Sequence, residues 1–473
     1  MINHFNFKQF DSDSFLITND FGRYLFLKSE EFRNLVKGQY TRGTPLYEKL
    51  HSNLFVLEPM ELYSHETSDD LRSMKNYVFS STALHIFVLT THCNLRCVYC
   101  QAQDQKNSDK GMMNTEIALK AVEIALQSPA KHLTIEFQGG EPLLNFPVIQ
   151  DTIEYAEEHK ADKELSYTLV SNLSLLTPEI LDYLLAHDVN ICTSVDGPEF
   201  LHNRNRQALG NVGSYQLMKR GAELLQQRGV SFSAIQTTTR ESLKYPREIV
   251  REYHRLGTPG IFLRPLTPLG FAKNDWGAIG YTPEEWLAFY KEAFFEILQI
   301  NKEGTWFPEQ HAVYFLKKIL HGYALNYMEL RSPCGAGVGQ LAYYYDGNVY
   351  SCDEARMVSE TGDQAFLLGN VFESTYQDIV QSGPCKAACA ASIIESLPNC
   401  CDCVYQPYCG VCPVINYAMD GDIFPRKAKG YRCQVYGGIL DFLFSLLREG
   451  NEETMLVLKS WIEDDENEDF EKE

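Results

Sequence analysis

Residues 91–101 read "THCNLRCVYCQ" and directly follow the apolar run "ALHIFVL" at 83–89. Cys93, Cys97 and Cys100 form a C-x3-C-x2-C pattern. Iron–sulfur clusters normally take four thiolate ligands. Three ligands leave one iron with open coordination sites, as a catalytic zinc keeps one position free of protein. An open iron can chelate an amino acid through its amine and carboxylate. The alternative for three close thiols is a zinc site.

Working outward, strand candidates recur at 84–89, 132–137, 166–171, 189–195, 230–236 and 260–266. Helical segments separate them. "NTEIALKAVEIALQS" carries apolar residues at 117, 118, 121, 122, 124 and 125, with Asn114 as N-cap. "TPEILDYLLAHD" opens with Thr177 as cap and Pro178 at the first helical position. Strand then helix, about six times, predicts an α/β fold with a parallel sheet curled into a partial or complete barrel. Helices are expected at 282–302 and 308–323. Before residue 80, short strands and two helices predict a small α+β module. After residue 334 regular patterning fades and cysteines crowd.

A length of 473 residues suits two or three domains. There are 42 Lys+Arg against 63 Asp+Glu, a net charge of −21, which argues against a nucleic-acid binder. The tail "EDDENEDFEKE" at 463–473 contributes and reads as solvated. No apolar stretch has the length of a membrane span. The N-terminus lacks the pattern of a signal peptide. The expected location is cytoplasmic, where thiols stay reduced, so 14 cysteines point to metal or cluster chemistry.

"CNLRCVYC" resembles the C-x3-C-x-aromatic-C signature of the radical S-adenosylmethionine (SAM) superfamily, with Tyr99 as the aromatic. That resemblance implies a partial (βα)6 TIM-like barrel and a [4Fe–4S] cluster on Cys93, Cys97 and Cys100. The fourth iron would bind SAM, whose reductive cleavage gives a 5′-deoxyadenosyl radical. "EFQGGEPLL" (136–144) resembles the family's GGEP motif and assigns Gln138, Gly139, Gly140 and Glu141 to SAM binding. Asn172 in "VSNLSLL", and Ser194 and Arg206 in "TSVDGPEFLHNRNR", map to further SAM contacts, with Leu266 against adenine. Each candidate lies at the C-terminal end of a predicted strand, the face where βα-barrels carry their chemistry.

The later cysteines resemble the SPASM extension of radical SAM enzymes, which usually holds two auxiliary [4Fe–4S] clusters. One set would be Cys400, Cys403, Cys409 and Cys433. The other would be Cys334, Cys352 and Cys412, with Cys389 preferred as fourth ligand. Cys385 or Cys401 are alternatives, as is a site left open to substrate. The spacing from Cys409 to Cys412 departs from relatives by one residue. Paired C-x2-C spacings also suit structural zinc. Cys192, inside an apolar strand, reads as a core thiol. Asp353, directly after Cys352, corresponds to the proton-accepting Asp of anaerobic sulfatase-maturing enzymes; a surface turn or an ion pair to Arg356 is the alternative.

"DSFLITNDFGRYLFLKSEEF" (13–32), "GVGQLAYYYDGNVYSCDEAR" (337–356) and "YQPYCGVCPV" (405–414) most resemble the His-Xaa-Ser system radical SAM maturase type. It implies a peptide maturase acting on a ribosomally made precursor peptide, with side-chain crosslinking as the expected reaction. Sulfatase maturation to formylglycine is the second enzyme reading, and a non-catalytic metal-bound scaffold the third. The implied organisation is 1–80 leader recognition or barrel cap, 81–325 barrel, 326–440 SPASM domain and 441–473 helix and acidic tail. Implied partners are the peptide and an external electron donor of flavodoxin or ferredoxin type, with no nucleic acid and no membrane.

Overall fold

The structure, a computed structural model, describes residues 1–61, 64–101, 111–210, 213–322, 324–425 and 430–463. The acidic tail after Glu463 lies outside the described residues.

Strands β1 (Phe5–Gln9), β2 (Ser14–Asn19) and β3 (Tyr24–Lys28) form an antiparallel sheet in that order. Helices Ser29–Val36 and Pro45–Ser52 pack on it around Ile17, Leu27, Leu35 and Leu50. The second helix starts where Pro45 fixes the first turn and Thr44 accepts from Tyr47 N. This module is bolted to the distant cysteine loop. Asn6 Nδ2 donates to the carbonyls of Cys401 (3.0 Å) and Cys403 (3.1 Å), and Thr18 Oγ1 donates to Val404 O at 2.7 Å.

The main sheet draws on β4 (Leu84–Val88), β6 (His132–Gln138), β7 (Glu164–Val170), β8 (Val189–Ser194), β10 (Ser233–Thr237) and β11 (Phe262–Arg264). Their order is β11-β10-β8-β7-β6-β4, all parallel. This is the α/β fold with a parallel sheet that the strand–helix alternation predicts. Two short strands, β5 (Leu95–Cys97) and β9 (Arg206–Ala208), pair antiparallel above it. The expected helix caps form: Asn114 Oδ1 accepts from Ile117 N at 2.9 Å, and Thr177 Oγ1 from Ile180 N at 3.3 Å.

The sheet does not stop at six strands. β12 (Gln340–Tyr343) adds parallel to β4, and β13 (Asn348–Tyr350) and β14 (Leu367–Asn370) continue antiparallel. The region where sequence patterning fades thus shares the barrel's own sheet. These strands are short, and β12 is buried on both faces, so it lacks alternation.

Period-two alternation along β6 sets up the site. Leu133, Ile135 and Phe137 are buried, while Thr134, Glu136 and Gln138 line the barrel interior.

The expected helix at 282–302 forms over Pro283–Lys302, and the next over Gln310–Leu316 with a π turn Lys317–His321. Between them Glu309 is fully buried and accepts from Tyr290 OH at 2.6 Å and Ala312 N at 2.8 Å. Burial pushes its carboxyl up to about 7, with Tyr290 and backbone amides partly offsetting. A folded value above the unfolded one means that this stabilisation is full below about 4.5 and is lost as pH rises through about 7. Wild type is therefore expected to lose about 1.4 kcal/mol per pH unit across that window relative to Glu309→Gln. Urea midpoints at several pH values check this; parallel curves would contradict it.

Candidate active site

The loop after β4 carries Cys93, Cys97 and Cys100 onto one wall of a single large cavity of about 1670 Å³. Burial pushes the Cys93 thiol up to about 12 and raises Cys97 further still. Such thiols stay neutral until a metal takes them as thiolates. Backbone pairing of Cys97 with Arg206 in β5–β9 ties the loop to the next functional side chain. Arg206 Nε donates to Asp196 at 3.1 Å, Tyr99 OH donates to the same carboxylate at 2.8 Å, and the guanidinium lies 5.4 Å from the Tyr99 ring centroid.

The "QGGEP" turn crosses the base of the cysteine loop. Gly140 N donates to Thr90 O at 2.7 Å, and Glu141 N to His92 O at 2.9 Å. A Cβ on Gly139 would meet Thr90 O at 2.3 Å, and one on Gly140 would meet His92 O at 2.1 Å. Glycine is required here for backbone to cross backbone. Glu141 is fully buried and lies behind the cavity wall. It accepts from Ser171 Oγ (2.7 Å), Asn172 N (2.8 Å) and Leu143 N (3.1 Å), and burial pushes it up to about 6. Asn172 Nδ2 in turn donates to Asn94 Oδ1 at 2.9 Å and lies 3.9 Å from Cys93 Sγ.

The helix Asp353–Ser359 is capped by Cys352, whose Sγ accepts from Ala355 N at 3.3 Å. Asp353 lines the cavity and is ion-paired to Arg356. Burial pushes Glu136 up to about 6, the Gln138 amide offsets part of this, and Asp353 and Glu354 add repulsion.

The remaining cysteines gather in two groups. Cys334, Cys352 and Cys412 lie close enough for their charges to act on one another, within one apolar cluster. Cys412 caps the helix Pro413–Asp420, its Sγ accepting from Ile415 N at 3.5 Å. Cys400, Cys403, Cys409 and Cys433 interact in the same way. Cys389 hydrogen-bonds with Cys385 and borders the first group through Arg331, which acts on both Cys334 and Cys389. Cys401 neighbours Cys400. Among the described residues, no three His, Cys, Asp or Glu side chains are gathered to hold a single metal ion.

Comparison with known proteins gives this geometry a family. Residues 87–252 match the Radical SAM superfamily. Over these residues the chain is similar to radical SAM domains. The cysteine-type anaerobic sulfatase-maturating enzyme of Clostridium perfringens is 24% identical over 300 residues, 61% of this chain and 77% of that protein. Matches to curated relatives cover from 40% to 88% of the relative's own length. The solved structure of native anSMEcpe with bound AdoMet aligns at TM-score 0.67 and 19% identity, covering 80% of this chain and 100% of that one. Streptococcus suis SuiB bound to precursor peptide SuiA aligns at TM-score 0.52 and 13% identity, covering 90% and 99%. No helix among the described residues is long and apolar enough to cross a membrane.

A radical SAM domain implies a [4Fe–4S] cluster and SAM, and the donor set fits both. Three convergent thiols suit a cluster with one free corner. Tyr99, Gln138, Gly139, Gly140, Asn172, Ser194, Arg206 and Leu266 all line the same cavity. Sequence reasoning missed four other cavity residues. Glu136 is legible in hindsight as a polar residue in an apolar strand. Arg264, Glu329 and Arg432 carry no sequence signal, because they meet only in the fold. Arg264 Nη2 lies 2.7 Å and Arg432 Nη2 3.0 Å from the Glu329 carboxylate, which also accepts from Tyr436 OH at 2.5 Å. Burial alone would raise Glu329, but the two guanidiniums hold its carboxyl well below the usual range. Cys192, expected in the core, faces the barrel interior and lines the cavity.

Proposed function

We propose that this chain is a radical SAM/SPASM peptide maturase that modifies a ribosomally made precursor peptide by hydrogen abstraction and forms a side-chain crosslink. The carrying observation is the cavity. At about 1670 Å³ it exceeds the 300–1,000 Å³ typical of small-ligand sites, leaving room for a peptide segment beside SAM. Both the three-thiol loop and Asp353 line it. When bound, SAM and its cluster supply the 5′-deoxyadenosyl radical. Arg206, held by Asp196, is positioned to pair with the SAM carboxylate. Asp353 takes the proton that leaves with the substrate hydrogen, and Arg356 orients it.

The two C-terminal cysteine groups are read as auxiliary cluster sites, with Cys389 as fourth ligand to the group of Cys334, Cys352 and Cys412. Sulfur atoms at helix N-termini that accept amide hydrogen bonds suit that reading. The N-terminal sheet, with β1 and β3 as its edges, supports leader binding by strand addition. The sequence cues place the chain in the His-Xaa-Ser system type, served by a flavodoxin- or ferredoxin-like donor. Sulfatase maturation is the second reading, favoured by the Clostridium relative.

Co-expression with short precursor peptides encoded beside it, followed by mass measurement, tests the proposal. Loss of two hydrogens without a new carbonyl supports crosslinking. A hydrazine-reactive aldehyde on a Cys or Ser peptide would favour formylglycine formation. Asp353→Asn is expected to keep 5′-deoxyadenosine production and lower modified peptide by about 100-fold or more. Equal loss of both would remove Asp353 from the proton step.

A further inference from the structure

A second, smaller cavity of about 280 Å³ lies away from the barrel mouth, between the segment that follows the N-terminal module and the later cysteine loop. Lys318 and Cys409 both line it. Lys318 is only 3% exposed. It belongs to the π turn Lys317–His321, a backbone irregularity of the kind that recurs at functional sites. An ammonium has three N–H donors. Lys318 Nζ donates to one acceptor, Leu330 O at 2.8 Å, and makes no ion pair among the described residues. The nearby Glu395 is engaged elsewhere: it pairs with Lys75 and accepts from Ser332 Oγ (2.6 Å) and Gln406 Nε2 (3.1 Å). A buried cation without a counter-charge is costly. Lys75 and Glu395 line the same cavity as Lys318 and Cys409.

We propose that Lys318 is a positioning charge for the cluster on Cys400, Cys403, Cys409 and Cys433, and that it raises that cluster's reduction potential. The inference rests on reading those four cysteines as a cluster site. Each electron added to a cluster adds negative charge, and a fixed, buried cation beside it favours that state. Cys400, Cys403, Cys409 and Cys433 would hold such a cluster, and Lys318 would make it a better electron acceptor. The competing role is purely structural, a cap on the Leu330 carbonyl.

The test is a potentiometric titration of the full, anaerobically reconstituted chain, followed by electron paramagnetic resonance. Cys403→Ala, which lacks the site, identifies the signal by difference and should lose about four irons per chain. Lys318→Gln keeps a donor for Leu330 O and removes the charge. It and Lys318→Met are expected to disfavour reduction of that one cluster at least tenfold, 59 mV for one electron, with the other midpoints unmoved. Lys318→Arg should stay within about threefold of wild type. A Lys318→Gln chain with full iron and an unshifted midpoint would overturn the proposal. If Cys403→Ala leaves the iron content unchanged, the cluster reading itself fails, and the two failures are told apart. If neither neutral variant holds the cluster while Lys318→Arg does, the charge requirement stands; if Lys318→Arg also loses it, the role is structural.

Discussion

Replacing Cys97 by alanine is expected to lower 5′-deoxyadenosine formation by at least about three orders of magnitude, the scale seen when one member of a catalytic unit is removed. The thiol is one of three that converge on the cavity wall, and a cluster corner cannot form on two. The fold should survive. Cys97 is held by backbone pairing to Arg206, which alanine preserves, and it lines the cavity. Anaerobic reconstitution, iron analysis and chromatography of the nucleoside products read the result, with a thermal melt as control. A well-folded Cys97→Ala chain that still cleaves SAM at the wild-type rate would remove this loop as the radical site.

Glu329→Ala is expected to cost about 3–5 kcal/mol of stability, the range for breaking a buried ion pair from one side. Without that carboxylate Arg264 and Arg432 face each other unpaired, and Tyr436 OH loses its acceptor. The three segments they join are the last barrel strand, the connector before the C-terminal part, and the helix Tyr431–Glu449. Because the folded carboxyl is depressed, its stabilisation holds above the unfolded value and is lost only as pH falls far into acid, so the cost should be flat around neutrality. Replacing all three residues by apolar ones of similar size should recover most of the loss. Urea midpoints measure it. A cost below about 1 kcal/mol would mean that cavity water screens the charges.

Much of the barrel was legible in the sequence. Asn114 and Thr177 cap where their side chains predict, and the apolar positions of the helix Thr115–Ala125 are the ones it buries. The six strands pair in chain order because each βα unit has to return its strand beside the last. The C-terminal cysteines were legible as a dense group, and their sorting into two sets was not readable from spacing alone. Cys412 lies three residues after Cys409, yet it joins Cys334 and Cys352, because it caps the helix that packs on the one Cys352 caps.

Local rules thus fixed what neighbours in sequence can fix: helix caps, strand alternation, and three thiols on one short loop. Packing alone brought Arg264 to Glu329 and Arg432, Asn6 to the carbonyls of Cys401 and Cys403, and Lys318 to Cys409. The reason is range. Hydrogen-bond and steric preferences act over a few residues and leave a periodic trace, whereas a buried charge is assigned its partner only when folding excludes the water that would otherwise have screened it.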